Sequence, residues 1–220
     1  MTIKVVDILS RASVVLQDTA ATRFTNANLL KFFNDGQREV VIHRPDAKVS
    51  HFTLALLNGS MQTIPTAGHR LINVYRNTNG RAVTQVERKM LDENLPTWHD
   101  AVAGANGIEH FIYDSTDPKN FYVYPKAVSG THSLEIVYSV IPSDISISNF
   151  ATDTTVMGID TAYANCLLDY VLYRCYQIDS DEGNLARAQM HFGAFAQSLG
   201  IKTRSDAAAA PRPVAGGQAA

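Results

Sequence analysis

The sequence predicts an α+β protein, a four-helix bundle interrupted by an inserted antiparallel β-sandwich or small barrel domain and followed by an extended C-terminal tail. Three observations carry that expectation. Apolar residues recur at three- and four-residue spacing before Pro45 and again from Asp160 to Leu199. Between them, short runs rich in Val, Ile, Phe and Tyr alternate with Gly, Asn, Pro and Asp, which is strand and turn composition. From Thr203 the chain reads TRSDAAAAPRPVAGGQAA, with no apolar period at all. The expected boundaries are residues 1–47 and 151–202 for a discontinuous bundle, 48–150 for the β-domain, and 203–220 for a flexible tail.

The first helix is expected over Ile3 to Gln17, with Val5, Ile8, Leu9, Ala12, Val15 and Leu16 on one face. A short polar link leads to the second, in the stretch TNANLLKFFNDGQREVVIHRPDA. There Thr25 caps the first turn, and Leu29, Leu30, Phe33, Val40 and Val41 form the apolar stripe. The helix stops before Pro45, because proline disfavours helical geometry at Arg44. Two residues interrupt its stripe. Gly36 costs about 1 kcal/mol against alanine, so either a neighbouring backbone comes close there or the glycine is simply tolerated. Gln37 is a structural polar residue that needs hydrogen-bond partners if buried. Lys31, Asp35, Arg38 and Glu39 occupy the opposite face.

Seven strands are expected: His51–Leu57, Met61–Ile64, His69–Asn77, Arg81–Glu87, His110–Asp114, Asn120–Tyr124 and Ser133–Ser139. Asn79-Gly80 marks a hairpin between the third and fourth, and DSTDPKN a turn between the fifth and sixth. Arg88 to Asp100 holds a short helical turn ending near Pro96. The third bundle helix carries Tyr163, Leu167, Leu168, Tyr170, Val171, Leu172 and Cys175 around most of its circumference, so it is expected to be the most buried. Arg174 falls on the same face and requires an acceptor. The last helix has a narrow stripe of Leu185, Ala188, Phe192, Phe195, Ala196 and Leu199 and ends at Gly200.

With 45% hydrophobic and 18% charged residues, the 220-residue chain has the makings of a real core. A net charge of −2 and a pI of about 6.4 give no electrostatic case for nucleic acid or an anionic membrane. The start lacks a secretory signal's apolar core, and no stretch is long enough to span a membrane; the expectation is a soluble protein made in the cytosol. Cys166 and Cys175 lie on opposite sides of one helix and cannot pair with each other.

Chemistry is sparse. DSDEGN, from Asp179, resembles a calcium loop, but its glycine comes one residue early and Met190 occupies the place of the bidentate glutamate. The seven histidines show no metal-binding spacing. His99-Asp100 lacks a nucleophile motif, and no phosphate- or dinucleotide-binding glycine pattern occurs. Tyr113, Tyr122 and Tyr124 could face bases or sugars, or fill a sheet surface. Asp92, Glu93, Asp114 and Asp117 are the carboxylates that a carbohydrate- or cell-wall-active module would use, if two of them met in a cleft. No catalytic residue, metal ligand or cofactor is expected.

Three strings carry a family likeness: LLKFFNDGQREVVIHRPDA, IYDSTDPKNFYVYP and YANCLLDYVLYRCYQIDSD. In this order, with the helix–β–helix plan and loose tail, the chain resembles the head-to-tail adaptor (connector) proteins of short-tailed bacteriophages, the tail tubular protein A type. That resemblance implies a virion structural protein at the head-tail junction. It implies a ring of twelve copies between the portal protein and the tail nozzle or other tail proteins, through which genome DNA passes without sequence-specific binding. It implies portal docking by the C-terminal segment, with Thr203, Arg204, Arg212, Pro213 and Val214 as candidates, and makes Lys31, Asp35, Arg38 and Glu39 candidate contacts between subunits. Gly36 and Cys175 stand where the family pattern has alanine.

Overall fold

The computed structural model describes residues 3–78, 80–103, 107–178 and 182–209. The elements follow in the order α1 (Val5–Val15), α2 (Asn26–His43), β1 (Val49–Ala55), β2 (Gly59–Thr63), β3 (Gly68–Asn77), β4 (Thr84–Gln85), α3 (Arg88–Asn94), β5 (His110–Ile112), β6 (Asn120–Ala127), β7 (Ser133–Val140), α4 (Ala164–Ile178) and α5 (Glu182–Ala209). Single 3-10 turns stand at Pro45–Ala47 and Thr161–Tyr163. Chain contacts divide the protein into two units. One runs up to Gln37 and resumes at Ile145; the other is Arg38–Asp144.

In the first unit, α4 packs against α1 and α5 and meets α2 where Tyr170 and Leu167 crowd Gly36. It is the shared partner of the other three helices, as its apolar circumference requires. Val5, Ile8, Leu9 and Ala12 of α1 are buried as expected, whereas Val15 is 47% exposed because the helix ends there. The α1–α2 link wraps Asp18, whose carboxylate accepts the N–H groups of Thr22, Arg23 and Phe24 and the Thr22 hydroxyl. These bonds, Phe24's above all, hold its pKa near 2. Thr25 caps α2 through Oγ1, which accepts the Asn28 N–H at 3.3 Å. Two expectations for α5 need correction. Gly200 does not end the helix, which continues to Ala209; the alanines of SDAAA favour helix more than any other residue, and a glycine inside a helix costs only about 1 kcal/mol. So 203–209 is helical rather than tail, and 210–220 lies outside the described residues. Second, the α5 stripe is only partly inward: Ala188, Phe195 and Leu199 are buried, while Leu185 and Phe192 are exposed.

The second unit is a sandwich of two open sheets, not a barrel. One has the order β1-β7-β3 and is antiparallel; the other has the order β2-β6-β5-β4. Leu71, Val74, Leu134 and Ile136 from the first sheet share a core with Phe111, Phe121 and Val123 from the second. The second sheet is mixed, because β4 pairs parallel with β5. The expected hairpin between the third and fourth strands, whose Asn79 lies outside the described residues, is accordingly short. Arg76 bridges Ala82 and Val83 N–H still reaches the Tyr75 carbonyl, but the chain then leaves for the other sheet. Asn77 secures that switch: its Nδ2 donates to the Ile108 carbonyl and its Oδ1 accepts the Ile108 N–H. Residue 107 is glycine for two reasons, a φ of +73° and a Cβ position only 2.5 Å from Asn77 Oδ1. The turn between β5 and β6 forms where expected, with Asp114 accepting the Thr116 N–H. The expected helical turn is α3, whose Leu91 packs with Trp98 and Ile112 on the second sheet.

Candidate functional site

Two helical surfaces and one β-domain cleft could carry function. The first surface is the seam between α2 and α4. A Cβ on Gly36 would lie 2.9 Å from Tyr170 Cδ1 and 3.2 Å from Leu167 Cδ2. The glycine therefore admits a side-chain ring, which is neither the close backbone nor the mere tolerance that its sequence position left open. Gln37 beside it has no exposed surface. Its Oε1 accepts the Gly158 N–H at 2.7 Å, and its Nε2 is 3.5 Å from Asn34 Oδ1. Arg174 is half-buried rather than buried, with 33% of its side chain exposed. It lies 3.6 Å from Asp35, donates to the Tyr170 hydroxyl at 3.2 Å and stacks over Phe32. The pair thus sits at the rim of the seam, with its apolar stem covered.

The remaining charges of the outer α2 face are mostly engaged inside the chain. Arg38 pairs with Asp144, and Glu39 with His43 one turn on. Lys31 is exposed. Thr203 and Arg204 fall in the last turns of α5; Arg212, Pro213 and Val214 lie outside the described residues, as does Asp179 to Asp181 of the loop tested for calcium.

The second surface is the outer side of α4 and α5. Tyr173, Gln177, Leu185, Gln189 and Phe192 line a groove of about 340 Å³. Leu185 is 57% and Phe192 45% exposed. Along the same pair of helices, His191 Nδ1 meets Asp169 at 2.9 Å and the ring stacks on Tyr176, so one polar clasp joins the helices that carry the uncharged groove. The sequence reading missed this surface because periodicity identifies an apolar stripe without showing what covers it. Cys166 and Cys175 are buried free thiols, pushed up to about 12 by desolvation, and are not reactive groups.

The β-domain cleft, about 660 Å³, is lined by Glu87, Arg88, Tyr113, Asp114, Asp117 and Tyr122 among others. Two of its three carboxylates, Asp114 and Asp117, are taken up by the local turn, while Glu87 is exposed. Asp114 is held below the usual carboxylate range by the Thr116 bonds, and Asp117 binds the Asn120 amide. Asp92 outside the cleft is lowered by the Trp98 indole and then Arg88, and Glu93 faces Lys89. A glycosidic general acid requires a raised pKa; the shifted carboxylates here move the opposite way. His99 Nδ1 does lie 2.8 Å from Ser60 Oγ, a pairing invisible in sequence. Its ring stacks on Trp98, and among the described residues no hydrogen bond orients its other nitrogen, as a nucleophile's base would need. Among the described residues no cluster of three metal-ligating side chains occurs, and no helix is long and apolar enough to cross a membrane.

Comparison with known proteins adds one finding. The family model described as SU10 adaptor protein matches residues 3–216. No curated protein matches the chain.

Proposed function

The chain belongs to the SU10 adaptor protein family, which makes it a structural component of a phage virion, and from that premise we propose that it is a ring-forming head-to-tail adaptor. In this reading twelve copies close a ring at the head-tail junction of a short-tailed phage. The ring receives the portal on one side and a tail nozzle or other tail protein on the other, and genome DNA passes through it during ejection. The observation that carries the reading is the family match along nearly the whole chain. Three features are consistent with it: two units able to contact different neighbours, an uncharged groove on α4 and α5 that no described residue covers, and the engagement of Asp92 and Asp114 in local hydrogen bonds. Its role is joining, with no chemical step.

The C-terminal end is the proposed portal-docking element, beginning within the last turns of α5 at Thr203 and Arg204 and continuing through Arg212, Pro213 and Val214. Mixing the purified protein with its phage's portal and imaging the product by electron microscopy tests both parts. A ring of adaptor density on the portal is expected from the full chain. A chain truncated at residue 202 is expected to keep its cooperative thermal unfolding, with only the helical signal of 203–209 lost, and to lose docking. Unimpaired docking by that truncated chain would refute the role given to the C-terminal end, and absence of any ring with the full chain would refute the adaptor reading.

A further inference from the structure

We propose that β1 is an open docking edge, filled in the assembled ring by the extended segment Asp144–Ser148 of a neighbouring copy. This deepens the ring reading above and rests on it.

The ladder between β1 and β7 defines which backbone groups are free. Val140 N–H donates to the Lys48 carbonyl at one end, Leu56 N–H donates to the His132 carbonyl at the other, and the register between them is unbroken. Antiparallel ladders bond alternate residues. Ser50, Phe52 and Leu54 therefore direct their backbone groups to β7, and those of Val49, His51, Thr53 and Ala55 face away. Among the described residues no hydrogen bond meets them. The other edge of this sheet is blunted: β3 has three register shifts against β7 and carries Arg70 and Arg76. Bulges and charges are how sheet edges are protected from pairing. β1, with the sequence VSHFTLA, has no bulge, no Lys, Arg, Asp or Glu, and no proline. Its Phe52 is 46% exposed although the ring lies edge-on to Tyr138 of the core, so the sandwich is open along this side.

A segment able to add to this edge lies in the chain's return from the β-domain, outside any strand of its own chain. Ile145 donates its N–H to Asn34 Oδ1 at 3.1 Å and accepts from Asn34 Nδ2 at 3.0 Å. One side-chain amide can meet both backbone groups of a residue only where they point the same way, which is strand geometry. The backbone groups of Ser146 then point to the opposite side, and among the described residues nothing bonds them. Ile145 and Ile147 alternate with Ser146 and Ser148 in sequence, the period of a strand, up to the bend at Ser148. The one charge in the segment, Asp144, is already held by Arg38, so pairing brings no unmatched charge to the uncharged edge. Because β1 and Asp144–Ser148 are different surfaces, the contact is heterologous and can repeat around a ring; pairing β1 with β1 would stop at two copies.

Engineered thiols test this directly, since both native cysteines are buried. Thr53→Cys is combined in turn with Ser146→Cys and Ser148→Cys, to cover either register, and rings assembled on portal are oxidised mildly. A ladder of disulfide-linked multimers is expected from one double variant, with most chains captured, and only monomer from each single variant. Thr53→Pro removes an outward N–H and leaves the ladder bonds to β7 in place; it is expected to lower the melting temperature by no more than a few degrees and to form rings at least tenfold less efficiently. Rings that never cross-link overturn the β1 pairing and leave the ring reading standing. Cross-linking by Thr53→Cys alone overturns it in favour of a two-copy contact. Cross-linked multimers with no ring in the microscope keep the pairing and overturn the ring.

Discussion

The α2 stripe and the α5 stripe look alike in sequence and end differently in the protein. On α2, Leu29 and Phe33 are fully buried, and even the polar Gln37 is enclosed and bonded. On α5, Leu185 and Phe192 stand out from the surface while Ala188 and Phe195, on the same helix, are buried. The first stripe is buried within its own unit, and beside it α4 comes close enough at Tyr170 and Leu167 to need Gly36. The second is left partly uncovered by the described residues. An amphipathic pattern states that a helix has an apolar face; whether the same molecule or another one buries that face is decided by the partners available to it.

Four substitutions and one titration press on this contrast, in descending order of effect. Phe33→Ala should cost about 3–5 kcal/mol in urea unfolding, the range for removing a fully buried aromatic ring. Gln37→Leu keeps the volume but leaves the Gly158 N–H without its acceptor, for a loss on the order of 1–3 kcal/mol; an unchanged midpoint would show that the seam tolerates an apolar residue there. Gly36→Ala sets overpacking of about 1–3 kcal/mol against a helix gain of about 1, and thermal melting should show a net loss of about 1. Asp18 extends the contrast to charge. Its folded pKa of about 2 lies below its unfolded value near 3.8, so its contribution is present above the unfolded value and lost as pH falls toward 2. The melting-temperature gap between wild type and Asp18→Asn should be constant near neutrality and close between about pH 4 and pH 2. Phe192→Ser should change monomer stability by only about 0.5 kcal/mol, yet weaken ring formation on portal if another molecule covers the groove. A loss of several kcal/mol in the monomer would instead place Phe192 with the α2 stripe.

Much of the fold was legible because local chemistry and tertiary structure agree. All seven strands form near their expected positions, α2 stops before Pro45, and the DSTDPKN turn joins its two strands. Other features depend on long-range choices. The chain does turn back between Asn77 and Arg81 as expected, but the sheet that β4 joins is set by its pairing with β5, more than twenty residues later. Gly200 signals an end, yet the alanines beyond it continue the helix. The candidate surfaces were less legible. Three of the four charges expected on the outer α2 face have partners within the chain, chosen by contacts that spacing alone does not report. Ser60 and His99 meet across thirty-nine residues, and the free edge of β1 exists only because of the order in which the strands assemble.

Asn34 has a consequence for the path of the chain. It clasps Ile145 within three residues of the point where α2 passes into the second unit, and Arg38 and Asp144 are ion-paired at the two ends of that unit. The β-domain is thus a closed excursion whose exit and return are neighbours. Closing a loop costs entropy that rises only slowly with its length, so a clasp of this kind makes the helical unit nearly indifferent to the size of what is inserted. Domains of different lengths could occupy the same doorway while the helices kept their register, allowing the helical unit and the insert to change separately in evolution.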